Sequence, residues 1–248
     1  MAYDAQDELE DEVAEHFRKP FLVGKIIKYS LIAFVIAINA LILWRVFFSA
    51  NIPSEIKQLE ANAAIVDAYQ THGDNLILQN QDQYSVNYDK GKEGYFGVPQ
   101  YFFIPEAKQV QLVFRYNNST LRNLAKDYGL EEIPDKDSEL FDVTLLQVVD
   151  LTPNDQTDDQ VLKTRIQPTS KTRETTILYT YYRYVFDNVE VDPSVAGSVF
   201  LDVYYNADVH YEQTPYGTLR LYDHLSSWID RDLTAADRKA LKAASNGR

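Results

Sequence analysis

Chemistry in a chain of unknown role is sought first among its histidines, and there are four: His16, His72, His210 and His224. Imidazole titrates nearest neutrality and serves both acid–base catalysis and metal ligation. His210 lies between Asp208 and Glu212, and His224 follows Asp223. On a strand, Asp208, His210 and Glu212 project from one face. Such a row suits a divalent metal or an acid–base pair, and equally a polar rim. It matches no H-E-x-x-H spacing, so the three residues stand only as metal candidates and no metal is assigned.

Asp150, Asn154, Asp155, Asp158 and Asp159 crowd the segment DLTPNDQTDD. Oxygen ligands gathered in a loop are what calcium requires, but the spacing is not that of an EF-hand. Pro153 and Asn154 already account for the segment as a turn. There is no G-x-S-x-G, no glycine-rich phosphate loop and no cysteine. The last absence removes thiol catalysis, thiolate zinc sites and disulfides together. A non-catalytic protein without a cofactor is the expectation. An enzyme acting on envelope polymers through the acids near His210 and His224 is the alternative.

Tyrosine is abundant, at 18 residues. Tyr179, Tyr181, Tyr182 and Tyr184, with Phe186, form a stripe that Tyr204, Tyr205, Tyr211 and Tyr216 follow. Exposed tyrosines stack on sugar rings and meet protein partners. Strand alternation sends about half of them to a core, and the rest are expected to form an aromatic binding face. Asn117 and Asn118 each begin an N-x-[ST] pattern, which matters only in a eukaryotic secretory pathway.

The element that positions everything else is Tyr29 to Trp44, sixteen residues without a charge. Counted from Ile26 to Phe48 it would span about 34 Å as a helix, enough for a hydrocarbon core of roughly 30 Å. The flanking Lys25, Lys28 and Arg45 can extend their charged ends toward headgroups. Arg18, Lys19, Lys25 and Lys28 precede the run, while only Arg45 and Lys57 follow closely. The positive-inside rule therefore predicts a cytoplasmic N-terminus and an extracytoplasmic C-terminal part. The apolar run is too long, and Phe48-Ser49-Ala50 too bulky, for a cleaved signal peptide. Ala33, Ala37 and Asn39 offer a face for self-association within the bilayer.

After the anchor, apolar spacing predicts one helix over residues 55–70, capped by Ser54 and stopped at Gly73. A strand through Tyr84, Val86 and Tyr88 should follow. Beyond Tyr95 the period changes to two: Val110, Leu112, Phe114 and Tyr116 alternate with Gln109, Gln111, Val113 and Arg115. Similar runs at 141–150, 162–167, 177–186, 199–206 and 219–221 give six or seven strands. A helix over 119–130, capped by Ser119 or Thr120, interrupts them, and another over 232–244 carries a Thr234–Asp237 capping box.

The expected fold is mainly β, an Ig-like antiparallel β-sandwich ectodomain with a few short helices, preceded by a single N-terminal transmembrane helix. The divisions are an acidic tail (1–19), the anchor (20–50), a juxtamembrane helix (51–75), the sandwich (76–230) and a C-terminal helix (231–248). An α+β domain of the kind used in secretion-system assembly follows instead if the helices at 55–70 and 119–130 pack on one curved sheet. Net charge is −13, of which residues 51–248 carry about −11. That excess disfavours nucleic acid, whose binding requires clustered Lys and Arg. The partners expected are the lipid bilayer and proteins of a membrane or envelope assembly.

Overall fold

The computed structural model describes residues 24–44, 51–81, 95–150, 161–190, 197–206, 214–223 and 228–247. The chain forms two units, Met1–Asn51 and Ile52–Arg248. In the first, α1 is a helix over Gly24–Trp44, long and apolar enough to cross a membrane. Its apolar side chains lie exposed along its whole length, Leu31, Phe34, Ile36 and Leu43 among them. Lys25 and Lys28 sit in its first turns, whereas Arg45 lies outside the described residues. Asn39 donates its side-chain amide to the Val35 carbonyl at 2.7 Å, meeting part of its polar demand within its own helix.

The second unit is mainly β, with two antiparallel sheets. Its helices are α2 (Ser54–Lys57), α3 (Ala63–His72), α4 (Asn118–Tyr128) and α5 (Ala235–Asn246). Its strands are β1 (Ile77–Gln81), β2 (Phe96–Ile104), β3 (Gln109–Asn117), β4 (Phe141–Asp150), β5 (Val161–Ile166), β6 (Ser170–Thr175), β7 (Tyr179–Asp187), β8 (Gly197–Tyr205), β9 (Gly217–Asp223) and β10 (Trp228–Asp232). They order as β10-β1-β2-β3-β7-β6 in one sheet and β5-β4-β8-β9 in the other. Val110, Leu112, Phe114 and Tyr116 of β3 face inward as their alternation predicts, meeting Phe141, Val143 and Leu145 of β4 and Leu201 and Val203 of β8. Rings cross the gap between sheets: Phe96 meets Phe141 edge-on at 5.2 Å, and Tyr116 meets Phe141 at 5.0 Å. Edge-to-face contacts at this range add to the burial itself. Pro99 interrupts β2, whose pairing with β3 shifts register between Gly97 and Gln100. A proline inside a sheet needs such a bulge because it cannot donate to the ladder.

The six-stranded sheet is covered on its other face as well. Ile56 of α2 packs on Val113 and Tyr181, while α3 and α5 bury Ile65, Val66 and Leu241 against Leu78 of β1 and Ile104 of β2. This corrects the single helix expected over 55–70. The chain is extended from Gln58 and restarts as a helix only at Asn62, whose side chain caps α3 by accepting from the Ile65 N–H. Polar anchors hold it open. The Gln111 side chain both donates to and accepts from the backbone of Glu60, at 2.9 and 2.8 Å, as a neighbouring strand would. The Leu59 N–H is taken by the buried Asp237 carboxylate at 2.9 Å. Arg183 donates to the carbonyls of Glu55 and Gln58, both at 2.8 Å, and to the Glu60 carboxylate at 3.2 Å. The favourable apolar spacing of Ile56, Leu59 and Val66 is thus served by two short helices with a bonded stretch between them.

The cap of α4 is Asn117, not Ser119 or Thr120. It accepts from the N–H groups of Ser119 and Thr120, and Thr120 completes the capping box. Gly129 ends the helix with φ +61°, a conformation that favours glycine. Leu121 and Leu124 join the core between the sheets, so α4 and α3 do not share one sheet face. The capping box of Thr234 and Asp237 opens α5 as expected. The strand anticipated through Tyr84, Val86 and Tyr88 lies outside the described residues.

Arg183 and Glu60 are 13% and 25% exposed in their side chains, so their bond is only partly screened by solvent. Arg183→Ala should lower unfolding free energy by about 2–4 kcal/mol, because it strands carbonyls and a carboxylate that are partly buried. Denaturant titration of the full chain in detergent, with hydrogen exchange at residues 55–62 accelerating first, checks it. An effect below about 0.5 kcal/mol, the range of ordinary surface changes, would show that the bonds contribute nothing net.

Candidate functional site

Most of the residues singled out by type and spacing lie outside the described residues. Asp208, His210, Glu212 and His224 lie outside the described residues, as does the 151–160 portion of the acidic loop. His72 ends α3. Among the described residues, no three His, Asp or Glu side chains gather as a metal would require.

The tyrosine stripe is placed clearly, and the expected exposed face is not formed by it. Tyr181 and Tyr182 are 0% exposed and Tyr184 is 1% exposed. Only Tyr179, at the start of β7, is half-buried; Arg115 lies over its ring at 4.5 Å. The physical reason is the double cover of the sheet. Tyr182 and Tyr184 point into the core between sheets, where their rings stack at 5.6 Å. Tyr181 points the other way, into the seam that Ile56 fills. Alternation exposes half of a strand only when one face of its sheet is wet.

Two concavities stand out among the described residues. One, of about 690 Å³, runs between α3 and α5 and is lined by Tyr69, Asp74, Arg238, Lys239 and Lys242. Tyr69 donates to Asp74 at 2.9 Å, and that bond raises its pKa. The other, of about 410 Å³, opens where the chain leaves β5 in one sheet and enters β6 in the other. Asp142 and Thr144 of β4, Arg165 of β5, Lys171 of β6, Tyr184 of β7 and Tyr204 of β8 line it, so both sheets contribute. The Arg165 guanidinium sits 6.0 Å from the Tyr204 ring centroid. Lys171 reaches Glu139 at 3.3 Å and lies 5.1 Å from the Tyr182 ring. Behind them Tyr204 donates to Asp202 at 3.3 Å, and Thr218 donates to the same buried carboxylate at 2.8 Å.

No family model, curated protein or solved structure matches the chain. Function must therefore be argued from the geometry of these residues alone.

In the second cleft one group stands out. The Tyr184 hydroxyl is buried and has no hydrogen-bond partner among the described residues. Leaving such a group unpaired costs about 1–3 kcal/mol. Burial pushes its pKa well above 10, the charges of Tyr182 and Asp142 add to this, and it stays a neutral donor. Sequence reasoning had no route to this cleft, since its lining comes from five strands and the turn after β5.

Burial raises the pKa of Tyr116, Tyr182 and Tyr216 as well, and Tyr216 also donates to Asp127 at 2.8 Å. In the unfolded chain these phenols ionise near 10. A group whose folded pKa is raised stabilises fully below the unfolded value and loses that contribution as pH climbs past it. Stability should hold through pH 9 and fall steeply above about 10, with these tyrosines ionising only as the fold opens. Absorbance at 295 nm followed beside circular dichroism checks it; phenolate appearing in full while the fold persists would contradict it.

Proposed function

We propose that the chain is a single-pass membrane protein that displays a non-catalytic binding or scaffolding module outside the cytoplasmic membrane, within a membrane or envelope assembly. The observation that carries this reading is an exposed apolar helix long enough to cross a membrane, followed along the chain by a separately folded unit. Only residues 45–51 separate the apolar helix from Ile52, where the chain becomes part of the folded unit. From there Arg183, Gln111 and Asp237 bond residues 55–60 to the six-stranded sheet and α5. Order at the start of the folded unit lowers the conformational cost of binding at its surface. In this reading the two sheets over a common core form an Ig-like sandwich, a fold whose surfaces and loops commonly serve recognition.

The orientation follows from the four cations before α1, which favour a cytoplasmic N-terminus. Self-association through Ala33, Ala37 and Asn39 supplies a second contact inside the bilayer.

The absence of cysteine makes a direct test clean. Glu131 is exposed, so Glu131→Cys should be labelled by a membrane-impermeant maleimide on intact cells, while Asp4→Cys should be labelled only after lysis. The opposite pattern would reverse the topology. Crosslinking the full-length protein in membranes should then yield discrete higher-mass species. If only monomer is recovered across crosslinkers of several lengths, the scaffolding reading fails.

A further inference from the structure

We propose that the groove between α3 and α5 is a docking site for a short acidic segment of a partner protein, lying extended along α5. The inference deepens the binding-module reading and rests on it. Arg238, Lys239 and Lys242 line the groove from α5, and Tyr69 and Gln70 line it from α3. Residues 238 and 242 are one turn apart and share a helix face, with 239 beside them. Lys239 and Lys242 are exposed, Arg238 is half-buried, and none of the three forms an ion pair with another described residue. Asp74 is the one carboxylate among the described lining residues, and it takes the Tyr69 hydroxyl at 2.9 Å. The groove therefore holds an excess of positive charge on a unit whose net charge is about −11. Its platform is fixed, because Leu241 is buried beneath α5 and the Asp237 carboxylate takes the Leu59 N–H at 2.9 Å. Cations carried on a fastened helix hold their spacing without a partner.

Charge and spacing choose the occupant. The many acids elsewhere on the unit repel any polyanion that spreads beyond the groove, which disfavours nucleic acid and an anionic bilayer surface. A short peptide confines its carboxylates to the groove, and at physiological salt charges beyond about 8 Å are largely screened. Arg238 and Lys242 stand about 6 Å apart along the helix axis. Alternate side chains of an extended peptide are separated by roughly 6.6–6.8 Å. Asp or Glu at every second position thus meets successive cations, and the flexible lysine stem absorbs the small mismatch. The exposed amides of Gln70 and Asn246 are each donor and acceptor, as pairing with a peptide backbone requires. A volume of about 690 Å³ suits several residues rather than a single ion.

The experiment uses the full-length chain in phosphatidylcholine nanodiscs, titrated with a fluorescent peptide of three Glu-Ser repeats and with its Gln-Ser counterpart. The acidic peptide is expected to saturate in the millimolar range or below and to couple by carbodiimide to Lys239 or Lys242. Its binding should weaken several-fold between about 50 and 300 mM salt. Lys239→Gln combined with Lys242→Gln should weaken it tenfold or more with circular dichroism unchanged, since both positions are exposed. Lys163→Gln, at an exposed lysine of β5, should leave it as it is. No saturable binding, equal binding of the Gln-Ser peptide, or full binding by the double variant would overturn the site. Displacement of the peptide by equimolar inorganic phosphate, or by phosphatidylglycerol added to the discs, would give the groove to phosphate groups and overturn the proposal as well. The titration does not depend on the direction in which the chain crosses a membrane, so its failure is distinguishable from failure of the topology and crosslinking tests.

Discussion

The arrangement of the folded unit depends on how the outer face of the six-stranded sheet is closed. Gln109, Gln111 and Arg183 are polar residues on a face that ends up in an interior. Such groups are tolerable there only if bonded, and most of their polar atoms are, although the Arg183 Nε has no partner among the described residues. Residues 55–62 supply the partners: backbone carbonyls for Arg183, an N–H and a carbonyl for Gln111, and the Asn62 side chain for Gln109. The segment gains as much as the sheet does, because an extended stretch with Leu59 buried would otherwise leave its own backbone unpaired. Sheet and segment each satisfy much of the other's demand, beside bonds within the sheet such as Gln109 to Asp187 and Arg183 to Thr172.

Polar burial of this kind continues across the molecule. Asp237 completes the cap that opens α5 and takes the Leu59 N–H with the same carboxylate, joining the two ends of the folded unit. Asp202 takes hydroxyl bonds from Tyr204 and Thr218 on the outer side of the four-stranded sheet. These groups contribute modestly to net stability, since each exchanges water for protein. What they do well is penalise wrong registers, in which a carboxylate or amide would be buried alone.

How much of this was legible in the sequence varies with locality. The inward face of β3, the α5 capping box and the Gly129 stop depend on residues within one or two turns of each other, and their spacing predicted them. β1, β6 and β10 did not show, because ILQNQ, SKTRET and WIDRD are short and largely polar, as edge or near-edge strands tend to be. The break between α2 and α3 was invisible for a different reason. Its causes, Gln111, Arg183 and Asp237, lie 51 to 178 residues away. The stripe of β7 held a usable clue, since a run apolar on both faces marks a strand buried on both. Reading it as half exposed assumed two layers where the chain builds a third from residues 52–76 and 233–246. The cleft between β5 and β6 left no trace at all, being assembled by topology from separated strands.

The Gln111 amide that imitates a strand has a mechanical consequence. A backbone ladder shares load among many parallel bonds, whereas residues 55–62 are held by a handful of side chains. Tension entering at Ile52 therefore meets the Arg183 and Gln111 bonds before it reaches any ladder of the sheet. Were they to part, the eleven residues 52–62 would pay out about 36–40 Å of chain. The sheets would be left paired behind them. Residues 52–62 are thus the part of the folded unit that load at Ile52 reaches first, fastened by side chains where the strands are fastened by backbone.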